Sequence, residues 1–281
     1  MIISCNSVLF RKYSIEEAME AIRAAGFDYL ETQGMSPFCP HVDVDKDDPI
    51  KFAEKVKSFG FKGITSLWPA HGEILSDDLA AVYFDRSAQW AAAAGIPNVM
   101  MGDGMKPKNV SLEDAFSRLT EMVLEMIESA ERNGITAALE PHGTFSLTKD
   151  GLIRILGISE SASFGINYDA ANIYRSYYYE NTQGSQYQIG KVDKQEDELD
   201  VVQSIASRVV YMHVKDMTED KVCCALGSGK VKLKECIEVL RSVGYDGVFS
   251  LETDGNGTLQ EELTLAKKSM PFFRSIAESF A

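Results

Sequence analysis

Residues 112–143 read LEDAFSRLTEMVLEMIESAERNGITAALEPHG. The first two thirds keep a helical period, which predicts a helix over 112–132 closed by Asn133 and Gly134, since glycine tolerates the left-handed backbone at a helix C-terminus. The pattern then changes. Residues 136–140 form a short, almost wholly apolar run, as expected of a strand covered on both faces. That run ends on Glu140. A helix leading into a buried strand that carries a carboxylate at its C-terminal end is one repeat of an alternating α/β fold.

The same pattern extends along the chain. Runs at 2–4, 29–31, 63–67, 99–101, 165–168, 209–213 and 248–252 alternate with longer segments of helical period. One such segment, 14–25, opens on Ser14 with Glu17 three residues later and stops at Gly26, the arrangement of a capped helix. Eight strands and eight helices predict an α/β chain folded as a (β/α)8 TIM barrel, a single domain over 1–281. Active sites of that fold lie at the C-terminal ends of the strands.

Four ionisable residues stand at such ends: Glu140 closes ITAALEPHG, Asp169 closes FGINYDAAN, His213 closes VVYMHVKD and Glu252 closes GVFSLETDG. A lone acidic residue at a strand terminus is usually a solvated surface group. Four in one register, each after a mostly apolar run, point to convergence. Two Glu, one Asp and one His would make an open divalent-metal site with carboxylates available for proton transfer. Oxygen-rich donors with one imidazole suit Mn2+ first, then Mg2+ or Co2+, and no thiolate set favours zinc.

Composition narrows the partners. With 28 Lys+Arg against 42 Asp+Glu, the net charge of −14 repels nucleic acid and anionic membrane surfaces. No apolar run is long enough to span a membrane. Five cysteines, an odd number without zinc-binding spacing, fit a reduced, cytoplasmic enzyme.

The motifs GFDYLET, LEPHG, INYDAAN, YMHVKDM and LGSGKVKLKECIEVLRSVGYDGVFSLETDG resemble those of the xylose-isomerase-like sugar isomerase and epimerase barrels, over most of the chain. The resemblance implies a metal held by Glu140, Asp169, His213 and Glu252, with Glu140 and Glu252 also serving as the acid/base pair. It implies a small carbohydrate substrate and leaves a homo-oligomer open. His71, His142, Lys215 and Trp68 are candidate substrate-binding residues. For His142 substrate contact is favoured over support of Glu140 from behind, and Asp216 reads as a turn residue or a support for the site. Phe10 and Phe38 are further candidates for an apolar wall against a sugar face. Residues 176–199 form a long, Tyr-rich loop, expected to be a lid or subunit contact.

Two departures bear on the substrate. Ketose 3-epimerases carry an Arg shortly after the strand-7 His, and VKDMTEDK has none. LGSGK is a weak anion-binding candidate, so a phosphate on the substrate is not required. The expected activity is isomerisation or epimerisation of a ketose or keto-sugar through a metal-bound enediolate. The alternative is a lyase acting on an inosose or 3-keto-glycoside. An endonuclease IV-like phosphodiesterase would need more histidines than the four present. A non-catalytic sugar-binding barrel is the remaining reading.

Overall fold

The computed structural model describes residues 1–69, 73–176 and 195–280. Eight parallel strands lie around a sheet in chain order: β1 (Ile2–Asn6), β2 (Tyr29–Met35), β3 (Gly63–Trp68), β4 (Asn98–Gly102), β5 (Thr136–Glu140), β6 (Phe164–Asp169), β7 (Val209–Val214) and β8 (Val248–Leu251). The sheet closes at β1, which pairs with β8 from Ile2↔Val248 to Cys5↔Leu251 and with β2 from Ser4↔Tyr29 to Asn6↔Glu31. The result is the expected (β/α)8 barrel.

Among the described residues the helices are α1 (Ile15–Ala25), α2 (Pro49–Ser58), α3 (Ala80–Ala94), α4 (Leu112–Asn133), α5 (Lys149–Leu156), α6 (Ala170–Ser176), α7 (Glu198–Ile205), α8 (Leu233–Ser242) and α9 (Leu259–Phe280). The expected one-helix-per-strand alternation breaks after β6, where α6 starts at once and α7 follows later. The caps form as the sequence implies. The Ser14 side chain accepts from Glu17 N while the Glu17 side chain accepts from Ser14 N, and Gly26 ends α1 at φ 99°. Gly134 ends α4 at φ 67°, a backbone that L side chains rarely adopt. None of these helices is long and apolar enough to cross a membrane.

Side chains alternate across each strand. One set packs outward against the helices in the main core, with Leu30, Leu67, Val99, Leu139, Ile166 and Phe249 at its centre. The other fills the barrel, where Trp68, Met100, Ala138, Tyr211 and Val248 form a small cluster of their own. This period carries Ala138 to Glu140, Asn167 to Asp169, Tyr211 to His213 and Ser250 to Glu252. The inward face is therefore a mixture of apolar and uncharged polar side chains in the middle of the barrel and ionisable at its C-terminal rim.

Candidate active site

The barrel brings Glu140, Asp169, His213 and Glu252 together, with one possible ligand atom of each within 4.8 Å of the others. All four are buried. His213 Nδ1 lies 3.2 Å from Glu140 Oε2 and 3.5 Å from Glu252 Oε2, while its Nε2 lies 2.9 Å from Glu31 Oε1. One imidazole thus faces three carboxylates.

Neighbours fix the acidic side chains by one oxygen each. Asn172 donates to Glu140 Oε1 at 2.7 Å, Asn6 donates to Glu252 Oε1 at 3.3 Å, and Gln33 donates in turn to Asn6 Oδ1 at 3.0 Å. Asp169 Oδ1 accepts from the backbone N–H groups of Ala171 and Asn172 at 2.8 and 3.1 Å, capping the first turn of α6. The other oxygens, Glu140 Oε2 and Asp169 Oδ2, are buried and face the cluster, with His213 Nδ1 3.2 Å from the first and Lys215 Nζ 2.9 Å from the second. Carboxylate oxygens this deeply buried need positive charge beside them, and a cation among them would add to what His213 and Lys215 supply. Three carboxylates and one imidazole are a hard donor set that fits a divalent ion.

The surroundings push the charges apart. Burial lifts Glu252 above the usual carboxylate range, and His213 and Lys215 only partly counter it. Burial acts in the same sense on Glu140, but the His213 imidazole outweighs it and holds that carboxyl low. Burial disfavours an imidazolium at His213, yet Glu252, Glu31 and Glu140 together raise its pKa well above the ordinary histidine value. Two carboxyls displaced in opposite directions are matched to the roles of acid and base.

Lys215 is brought into the same cluster. Its Nζ lies 2.5 Å from Glu252 Oε2, 2.9 Å from Asp169 Oδ2 and 3.5 Å from Asn172 Oδ1. His142 and Trp68 meet on another wall, with ring centroids 5.6 Å apart and nearly perpendicular. His142 Nδ1 stands 3.5 Å from Glu73 Oε1. Burial keeps the His142 imidazole neutral, with its pKa pushed down to about 4. His71 lies outside the described residues, as does 177–194 of the long loop.

Two other expectations, for Phe10 and for LGSGK, are corrected. Phe10 is fully buried in the main core and walls nothing. Phe38 is half-buried, with the Arg11 guanidinium 4.5 Å from its ring centroid. Asp216 fastens the LGSGK loop: its carboxylate accepts from Gly227 N and Gly229 N, both at 2.9 Å, and from Val231 N at 3.3 Å. Those N–H groups are consequently committed to Asp216, which removes the basis for an anion site there.

Several contributors escaped the sequence reading. Glu31 follows the short apolar stretch of GFDYLET, but β2 continues past it to Met35, whereas Glu140 ends its strand. Arg175, buried on α6, forms an ion pair with Asp254 at 3.0 Å. Asp103, just past β4, organises the turn after β5. Its Oδ2 accepts from Phe145 N (2.7 Å) and Ser146 N (3.0 Å), and its Oδ1 from Ser146 Oγ (2.6 Å). Ser146 Oγ accepts in turn from His142 N and Gly143 N. Gly143 is needed there, because a Cβ would lie 2.2 Å from Gly104 O.

Comparison with known proteins agrees with this architecture. An uncharacterized protein of Methanocaldococcus jannaschii is 30% identical over 146 residues, covering 50% of this chain and 43% of its own length, so the match spans less than half of that relative. A D-tagatose 3-epimerase-like protein superposes with a TM-score of 0.77 at 18% identity, covering 100% of this chain and 98% of the other. The IolI protein, solved with a bound zinc atom, superposes with a TM-score of 0.74 at 15% identity, covering 100% and 99%. At these identities the likeness is one of fold. The family model for the xylose isomerase-like TIM barrel matches residues 19–276, and the chain belongs to that family.

Proposed function

We propose that the protein is a divalent-metal-dependent sugar isomerase or epimerase acting on a ketose, keto-sugar or related carbohydrate. The observation that carries this reading is the convergence of Glu140 and Glu252 from different strands on His213 Nδ1, at 3.2 and 3.5 Å, with the two carboxyls displaced in opposite directions. Glu140, Asp169, His213 and Glu252 would hold the ion, with Mn2+ the first choice and Mg2+ or Co2+ next. When bound, such an ion would polarise the substrate carbonyl and stabilise the developing oxyanion.

The chain's own groups account for the rest. Glu140, held ionised, takes the proton at Oε2 from the carbon beside the carbonyl. Glu252, with its raised carboxyl, returns a proton from Oε2 to the opposite face, giving epimerisation, or to the adjacent carbon, giving isomerisation. Lys215 restrains both Glu252 and Asp169 and offers its ammonium to a substrate oxygen. Trp68 and His142 form the wall against the sugar, and His71 is proposed as a further contact. A cytoplasmic setting fits the five free cysteines. The net charge of −14 supports small-molecule partners over nucleic acid, with a homo-oligomer as the proposed assembly option.

The test is turnover in D2O with Glu140→Gln and Glu252→Gln. Wild type should place deuterium at the carbon beside the carbonyl, and each variant should lose on the order of 10² or more in turnover. Catalysis without deuterium, with near-normal rates in both variants, rejects the proton-transfer reading. Release of water or an aglycone instead of an isomeric sugar assigns the same site to a lyase.

A further inference from the structure

A carboxylate deep in a barrel needs a reason, because burying a charge is costly unless it is paired and hydrogen-bonded. Glu31 has no solvent exposure, and neither do Tyr211 and His213. It points across the barrel from β2 to β7, where Tyr211 and His213, two residues apart, present their side chains on the same face. Each carboxylate oxygen has a separate task. Glu31 Oε1 lies 2.9 Å from His213 Nε2, and Glu31 Oε2 accepts from Tyr211 OH at 3.0 Å.

The clamp is itself braced. With its proton given to Glu31, the Tyr211 hydroxyl is left to accept, and Thr65 Oγ1 lies 2.8 Å away and Ser66 Oγ 3.4 Å away. Thr65 Oγ1 is also 2.9 Å from Ser4 Oγ, which ties β1 into the chain. The Tyr211 and His213 rings stand edge to face at 5.8 Å, so packing also restrains the imidazole. The opposite ring nitrogen, Nδ1, is the one turned toward Glu140 and Glu252.

We infer that Glu31 is a positioning residue for the metal centre: it holds His213 by Nε2–H and so presents the Nδ1 lone pair to the ion without touching the ion itself. This rests on the reading of Glu140, Asp169, His213 and Glu252 as ligands. A carboxylate behind a ligating histidine fixes both the ring orientation and which nitrogen keeps its proton. Glutamine at position 31 keeps the shape, but its amide accepts or donates with equal ease and no longer selects one nitrogen.

The experiment measures Mn2+ affinity by titration of the metal alone in wild type, Glu31→Gln and Tyr211→Phe, together with the 15N spectrum of His213 in the Mg2+-loaded proteins. Glu31→Gln should weaken Mn2+ binding roughly 10–100-fold, the range for partners behind metal ligands. Its His213 should also lose the single Nε2–H form expected of wild type. Tyr211→Phe, which removes one hydrogen bond from Glu31, should weaken binding about fivefold. It carries the test alone should Glu31→Gln fail to fold. Unchanged affinity and an unchanged His213 spectrum in the folded variants, with only thermal stability lowered, overturns the inference and leaves the ligand reading intact. Wild type that takes up no Mn2+ removes the ligand reading and this inference with it.

Discussion

Replacing Asp103 by Asn changes a single atom in a fully buried side chain, and the surrounding hydrogen bonds set the cost. If the amide oxygen takes the place of Oδ2, the bonds from Phe145 N and Ser146 N survive. They become neutral, each weaker by about 1 kcal/mol. The amide nitrogen then faces Ser146 Oγ, whose lone pairs already accept from His142 N and Gly143 N. Donor meets donor there, costing about 1–3 kcal/mol for a buried group left unsatisfied. The total is about 3–5 kcal/mol, or a fall in Tm of roughly 6–10 °C for a chain of this size. Urea and thermal unfolding measure that loss, and kcat/KM on a turned-over sugar should fall with it because the turn carries His142 two residues past Glu140. Burial raises the Asp103 pKa, with Ser146 and Phe145 opposing it. A protonated Asp103 would resemble Asn. Stability within about 1 kcal/mol of wild type and an unchanged kcat/KM would refute the charged clamp described here.

Two further outcomes are expected. Purified protein should take up about one divalent ion per chain, and chelation should abolish turnover. Full metal content in an Asp169→Ala, His213→Ala double variant would show that the ion sits elsewhere. Glu73 gives a pH dependence: burial, with Asp103 and Glu140 nearby, pushes its carboxyl from 4.5 to about 8. Between those values the unfolded chain releases a proton that the native state keeps, so stability falls as pH rises, by at most about 1.4 kcal/mol per pH unit from this group. Glu73→Gln should remove that contribution, and its advantage in urea melts should grow from pH 5 to pH 8. An advantage independent of pH would mean that Glu73 is already ionised in the native protein.

The barrel was legible because its signals are local. Apolar runs, Ser14 with Glu17, and the glycines at 26 and 134 each act within a few residues. The four residues at the rim were legible for a related reason, since each ends a strand whose period is visible in the sequence. Glu31 lies inside β2 rather than at its end, and its meaning depends on Tyr211 and His213, 180 and 182 residues away, a distance that no local pattern encodes. Asp103 sits in a glycine-bracketed turn, where an aspartate reads as an ordinary turn residue until the turn after β5 packs against it. The short helix α6, which ends where the expected loop begins, was not read as a helix of its own because seven residues offer too little periodicity to mark it. LGSGK misled in the opposite direction, because its free N–H groups are filled by an aspartate upstream of it.

Asp169 divides its labour between two oxygens, with Oδ1 closing the first turn of α6 and Oδ2 facing the cluster. Architecture and chemistry are thereby inherited together. An apolar residue at 169 would remove the cluster's carboxylate and the start of the helix together, whereas Asn would keep the helix and surrender only the charge. Lineages drifting away from catalysis should therefore pass through Asn, Ser or Thr at this position before any apolar residue, which makes position 169 an inexpensive marker for telling working members of the family from retired ones.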